Sequence, residues 1–347
     1  MRDVLDDLYE RWSRGEEVGV ATVIATSYSA PRPPGTTMIV AADGTVSGSI
    51  SGGCVEAAVY ELAQHVLVEG VPVRQRFGIA DSDAFAVGLT CGGTIEVFVS
   101  RISRISVPEF GALVEAVHDN RSVALATVIE HPDAAQVGTH RVIWPDTTEF
   151  QAATAAREFV HTFQPPPRML VFGAIDFARA TARLGAFLGY RVTVCDARPL
   201  FATTARFPEA DEVVVDWPHR YLAAELAAGR VDARTVVAVL THDAKFDVPV
   251  LEIALRADLG YVGAMGSRRT HNDRLTRLRA AGLTEDELAT LSSPIGLDLG
   301  ARTPEETAVS IAAEIIALQT DRAGLRLTHT AGPLHDRTTN ARRPRCA

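Results

Sequence analysis

From Arg168 onward the chain alternates short β-branched apolar runs with amphipathic helical patterns. Arg168 to Phe172, Arg191 to Cys195, Glu212 to Val215, Val236 to Leu240 and Tyr261 to Ala264 read as strands. Helices at Phe177 to Leu188 and near 219–228, 246–257 and 268–281 lie between or after them. Strands this apolar need cover on both faces, which helices on the two sides of a parallel sheet supply. The pattern predicts a Rossmann-like, doubly wound α/β sheet, with ligand sites outside the carboxyl ends of its strands. Gln164 to Pro167, QPPP, marks the boundary before it, because three prolines stop a helix and form a stiff connector.

Residues 1–163 read as a separate α+β domain, followed by the connector 164–167, the sheet domain 168–320 and a polar, flexible tail 321–347 in which Cys346 is incidental. Val4, Leu5, Leu8 and Trp12 share one face of a first helix. Val18 to Thr26 reads as a buried strand. Thr37 to Val40 and Thr45 to Ile50 flank Asp43-Gly44, a hairpin signal. Arg74 to Phe77 and Thr94 to Val99 read as further strands, and Val123 to Ile129 and His140 to Trp144 as an antiparallel pair. Phe110 to Val117 and Phe150 to Phe163 read as helices, and Asp81 to Leu89 as an acidic loop.

Composition narrows the function. The net charge of −9, from 34 basic and 43 acidic residues, argues against sequence-independent nucleic-acid binding. No apolar run approaches the ~20 residues that span a bilayer. The opening MRDVLDDLYERW is an acidic amphipathic helix, unlike a signal peptide. Cys54, Cys91, Cys195 and Cys346 are far apart and form no CxxC pair, which disfavours a zinc site or a disulfide framework. A cytoplasmic protein without membrane insertion is expected, with a homodimer as the commonest oligomeric state.

Ser47 to Glu61, SGSISGGCVEAAVYE, runs from a strand through a glycine turn into a helix that starts at or beside Cys54. A helix start carries unpaired amides and partial positive charge, which favour a thiolate and an anionic ligand. Gly52 and Gly53 allow close approach, and Glu56 follows within the first turn. A second stretch, GLTCGGTIE, sets Cys91 beside Gly92 and Gly93 and close to a glutamate. The two stretches fit two sides of one site. The alternatives are an inert buried cysteine and two glycine turns at the rim of a sheet.

In the second domain, Gly173-Ala174-Ile175-Asp176 stands where a dinucleotide turn has its glycines. Ile175 opposes a pyrophosphate sterically and Asp176 electrostatically. Asp196 follows at the spacing of a ribose-binding acid. LTHDAKFD places His242 and Asp243 after a strand, as ligand contacts or as the start of a capped helix. YVGAMGSRRT places Gly266, Ser267 and Arg268 at a helix start, as an anion cradle or as solvated arginines. PIGLDLGARTPEE ends in a helix start with Thr303 as N-cap, Pro304 first in the helix and Glu306 closing a capping box.

These motifs, in this order, resemble the XdhC/CoxI family of xanthine dehydrogenase accessory proteins. ATVIATSYSAPRPPGTTMIV, SGSISGGCVE and GLTCGGTIEVF carry the resemblance in the first domain. LTHDAKFD, YVGAMGSRRT and SPIGLDLGARTPEETAVSIAAEIIA carry it in the second. The resemblance implies a chaperone that binds molybdenum cofactor (molybdopterin), supports its sulfuration by a cysteine desulfurase, and delivers it to a molybdenum hydroxylase such as xanthine dehydrogenase, without turnover of its own. It implicates Cys54 in cofactor binding, in contact with the metal end or shielding a sulfido ligand; thiolate suits a thiophilic metal. Where this chain has GAIDFA, family members more often carry a GAGxxA-like turn, which puts NAD(P) binding in doubt. The alternatives are an NAD(P)-dependent oxidoreductase built on the second domain, and an interaction scaffold for hydroxylase assembly.

Overall fold

The computed structural model describes residues 1–27, 32–78, 93–145 and 156–331. Two compact units divide at Pro165/Pro166.

The first unit contains α1 (Leu5–Ser13), β1 (Val18–Ser27), β2 (Thr37–Ala41), β3 (Val46–Gly48), α2 (Glu56–Glu69), β4 (Val73–Phe77), β5 (Thr94–Ile102), α3 (Phe110–His118), β6 (Val123–Glu130), β7 (His140–Ile143) and β8 (Arg157–Phe163). One antiparallel sheet has the order β3-β2-β1-β5-β4 and a second the order β7-β6-β8. β1 is buried on both faces. Val18 and Val20 join Leu5, Leu8, Phe110 and Leu113 in one core. Ala21 and Val23 join Val55, Val59, Ala63 and Val66 of the α2 segment in another. The β2–β3 hairpin at Asp43-Gly44 delivers the chain to the loop before α2.

The helix expected over Phe150–Phe163 is a strand where the structure describes it. Arg157–Phe163 pairs antiparallel with β6, from Val123↔Phe163 to Glu130↔Arg157. Phe159, His161 and Phe163 alternate along one face, with neighbouring ring centroids 6.5 and 4.7 Å apart. This period of two, set by aromatic and β-branched residues, decides the conformation once β6 offers an edge. The acidic loop expected over Asp81–Leu89, and Cys91 and Gly92, lie outside the described residues.

The second unit contains β9 (Arg168–Phe172), α4 (Asp176–Phe187), β10 (Arg191–Cys195), β11 (Glu212–Val214), α5 (Pro218–Ala227), β12 (Val236–Val239), α6 (Ala244–Ala254), β13 (Tyr261–Ala264), α7 (Arg268–Ala280), α8 (Glu285–Ala289), β14 (Leu291–Ser292) and α9 (Pro304–Gln319). The sheet order is β11-β10-β9-β12-β13-β14, with every pair parallel. This is the doubly wound arrangement, and its order reverses between β9 and β12. Leu170, Phe172, Val237 and Val239 pack on one face against α6 residues Val250, Leu251 and Ala254. Met169, Val171, Val236 and Ala238 pack on the other, with Ala178 and Ala182 of α4 and Ile311 and Ile315 of α9. Thr303 and Glu306 form the capping box that starts α9. No helix among the described residues is long and apolar enough to cross a membrane.

Candidate functional site

β3 ends at Gly48 and α2 begins at Glu56, so the helix starts two residues beyond Cys54. Residues 49–55 fold back around the Glu56 side chain. Its Oε1 accepts from the Ser49 hydroxyl at 2.7 Å and from the Ser51 and Gly52 amides at 2.9 Å each. Its Oε2 accepts from the Ser51 hydroxyl at 2.5 Å, the Gly53 amide at 2.8 Å and the Val55 amide at 3.2 Å. Partial burial opposes the charge, but the hydroxyls of Ser51 and Ser49 and the loop amides outweigh it and hold the Glu56 carboxyl down to about 2. The amides expected to greet an external anion are therefore taken by the helix's own first residue.

Gly52 and Gly53 have φ of +82° and +118°, and a Cβ at either would meet nothing within 4 Å. They are glycines for conformation, and the space above them is open. Cys54 is half-buried against the core under α2. Its amide donates to Ser51 Oγ at 2.9 Å. Gly93 is buried just before β5. Among the described residues no three His, Cys, Asp or Glu side chains gather as a metal site, so Cys54 stands there as a single soft donor.

In the second unit the expected residues spread along the carboxyl edge of the sheet. Gly173 has φ +114°, and a Cβ there would lie 3.0–3.2 Å from Thr241 and the Leu240 backbone. Its small size lets the ends of β9 and β12 meet. Asp196 is 2% exposed and fully engaged. Oδ2 accepts from the Ala174 amide and Arg198 Nη2, each at 2.7 Å. Oδ1 accepts from the Arg198 amide and Nε, each at 2.9 Å. Burial opposes its charge, yet the Arg198 guanidinium and these amides hold the carboxyl below its usual range. A ribose hydroxyl would find both oxygens occupied. Asp243 is the N-cap of α6 and pairs with Lys245 at 3.0 Å. Ser267 is the N-cap of α7, accepting from the Thr270 amide at 3.1 Å, and Arg268 is exposed.

A buried network beneath these loops is announced by no sequence motif. Arg274 and Asp247, with side chains 3% and 5% exposed, pair at 2.9 Å. Arg274 Nη2 also donates to the Met265 carbonyl at 2.7 Å, and Nη1 to Ser293 Oγ at 3.0 Å. The Thr241 hydroxyl donates to Asp247. The network ties the ends of β12, β13 and β14 together. Beside it, His242, Thr270, Arg274 and Arg277 line a cavity of about 190 Å³. The available signal is helical spacing: Asp247 shares a face with Val250, Leu251 and Ala254, and a carboxylate on a buried face needs a partner.

Two models of one family match the chain. The XdhC and CoxI family model matches residues 11–78, and the XdhC Rossmann domain model matches residues 169–315. Together they cover more than half of its length. The chain belongs to the XdhC and CoxI family. It is 29% identical over 319 residues to a probable subunit of the xanthine dehydrogenase of Bacillus subtilis, covering 87% of this chain and 93% of that protein. It is 29% identical over 318 residues to the molybdenum cofactor insertion chaperone PaoD of Escherichia coli, covering 92% and 88%. The crystal structure of a xanthine dehydrogenase from Bacillus halodurans superimposes with a TM-score of 0.69 at 25% identity, covering 94% of this chain and 97% of that one. The first XdhC match contains the whole Ser49–Glu56 loop. The XdhC Rossmann match contains the Asp196 and Arg274 networks, and Cys91 lies outside both.

Proposed function

We propose that this chain is a molybdenum cofactor chaperone serving a molybdenum hydroxylase of the xanthine dehydrogenase type. The observation that carries the reading is the Glu56-clamped loop, which holds Cys54 half-buried beside two glycines with open space above them. That loop lies within the family match, and a cofactor insertion chaperone is among the relatives.

The donor set fits one end of the cargo. A cysteine sulfur suits a thiophilic molybdenum centre or its sulfido ligand. The loop amides already hold Glu56, so the phosphate of a pterin needs donors from elsewhere. When bound, the cofactor supplies the redox chemistry that the client hydroxylase uses. The chain's own part is to bind and shield. Cys54 contacts the metal end, Gly52 and Gly53 leave room for it, and Glu56 fixes the loop. In this reading the chain works as a cytoplasmic homodimer, accepts sulfuration of its cargo by a cysteine desulfurase, and has no turnover of its own. An NAD(P)-dependent oxidoreductase has less support, because Asp196 is engaged by Ala174 and Arg198. Saturable NAD(P)H binding in a fluorescence titration would revive it. The chaperone reading is tested by copurifying the chain with molybdopterin from a cofactor-producing host, as wild type and as Cys54→Ala. Equal retention by both removes Cys54 from the site.

A further inference from the structure

Glu56 belongs to the candidate site by position, yet its carboxylate has nothing left to offer a ligand. Both oxygens are surrounded by the loop's own donors: four backbone amides and two serine hydroxyls. Resting on the chaperone reading above, we propose that Glu56 is a positioning residue, a built-in anion that shapes residues 49–55 and so sets how Cys54 meets the metal end of the cargo.

The amides of Ser51, Gly52, Gly53 and Val55 converge on one point. Convergent amides of this kind form an anion-binding concavity. Gly52 and Gly53 reach it only through positive φ. Such a loop is held together by the anion at its centre, since without one the amides repel each other and turn to water. Cys54 is built into the same ring. Its amide donates to Ser51 Oγ at 2.9 Å, and the Ser51 hydroxyl donates to Glu56 at 2.5 Å. The backbone that carries the thiol is thus linked to the carboxylate through one hydroxyl and two hydrogen bonds. A cargo anion competing for these amides would have to displace a side chain already attached beside them. The geometry therefore assigns Glu56 to loop shape and leaves Cys54 as the group that touches cargo.

The consequence is chemical rescue. Glu56→Ala leaves a carboxylate-sized gap lined by amides and hydroxyls, and a small free carboxylate fits it. The readout is the rate at which iodoacetamide alkylates Cys54, resolved by peptide mass spectrometry, with sodium acetate against sodium chloride at equal ionic strength. Glu56→Ala is expected to alkylate at least about tenfold faster than wild type, because even one of the six hydrogen bonds it removes from the carboxylate is worth a factor of that order in loop opening. Acetate at tens of millimolar is expected to return the rate toward wild type, and to restore molybdopterin retention over the same concentration range. Glu56→Gln keeps the volume filled and is expected to show a raised rate that acetate does not change. An alkylation rate in Glu56→Ala equal to wild type, or a raised rate that acetate leaves alone, overturns the positioning role. An acetate response in Glu56→Gln does so too, because it locates the effect elsewhere. The alkylation arms need no cargo. A wild type that never carries pterin therefore refutes the chaperone reading, while these arms still decide the role of Glu56.

Discussion

Replacing Asp247 with leucine strips Arg274 of its carboxylate partner in the second unit. The guanidinium stays 3% exposed, with the Met265 carbonyl and Ser293 Oγ as its remaining acceptors. Breaking a buried pair from one side costs about 3–5 kcal/mol, because the remaining charge is uncompensated. For a unit of this size that lowers the melting midpoint by roughly 6–20 °C. Compared with apolar residues of similar volume, a buried pair of this kind is often no net source of stability. Burial raises the Asp247 carboxyl above its usual range, and the bonds from Thr241 and Arg274 only partly offset it. A carboxyl raised in the folded state binds its proton more readily folded than unfolded, so its ionisation costs stability at neutral pH and the cost shrinks on acidification. Asp247→Leu combined with Arg274→Met removes both charges and is expected to fall within about 1 kcal/mol of wild type. Differential scanning calorimetry on the wild type, both single variants and the double variant gives the coupling. A single-variant cost below about 1 kcal/mol, or a double variant as weak as the sum of the singles, refutes the reasoning.

Burial holds His140 and His161 neutral, each with its pKa lowered to about 4 from 6.5. The unfolded chain takes up protons that the fold refuses, so stability falls as pH drops from 6.5 toward 4, by about 2 kcal/mol per ring at pH 5. Calorimetry across that range should show the slope, and His140→Asn with His161→Asn should flatten it. Burial pushes the Cys195 thiol up to about 12, so native-state alkylation should label Cys54 and spare Cys195. Comparable labelling of both, read by peptide mass spectrometry, contradicts the burial. Gly173→Ala should cost about 2 kcal/mol or more in urea denaturation, since it strains a φ of +114° and drives a Cβ against Thr241. An unchanged midpoint would mean that β9 and β12 can part without cost.

Legibility in the sequence is decided by near neighbours. The parallel strands from Arg168 to Ala264 show as apolar runs because both of their faces are buried. The start of α9 is readable because Thr303, Pro304 and Glu306 settle it within one turn. β8 reads as a helix in the letters because its true conformation depends on an edge of β6, distant in sequence. Asp247 and Arg274 are 27 residues apart, and neither spacing nor composition announces their pairing. The Ser49–Glu56 loop lies between these cases. Its glycines, cysteine and helix start are visible in the letters. The turn of the Glu56 side chain back over its own amides depends on torsion angles that no spacing encodes, and it changes that residue from a ligand contact into the centre of the loop.

The central claim is that Cys54 holds cofactor on a Glu56-shaped loop. The most direct measurement is the molybdopterin content of the purified chain, by fluorescence of its oxidised pterin, for wild type and Cys54→Ala expressed side by side in a cofactor-producing host. Pterin is expected with the wild type, and a marked loss with Cys54→Ala at equal protein and equal melting midpoint. Equal pterin in both, or none in either, contradicts the claim.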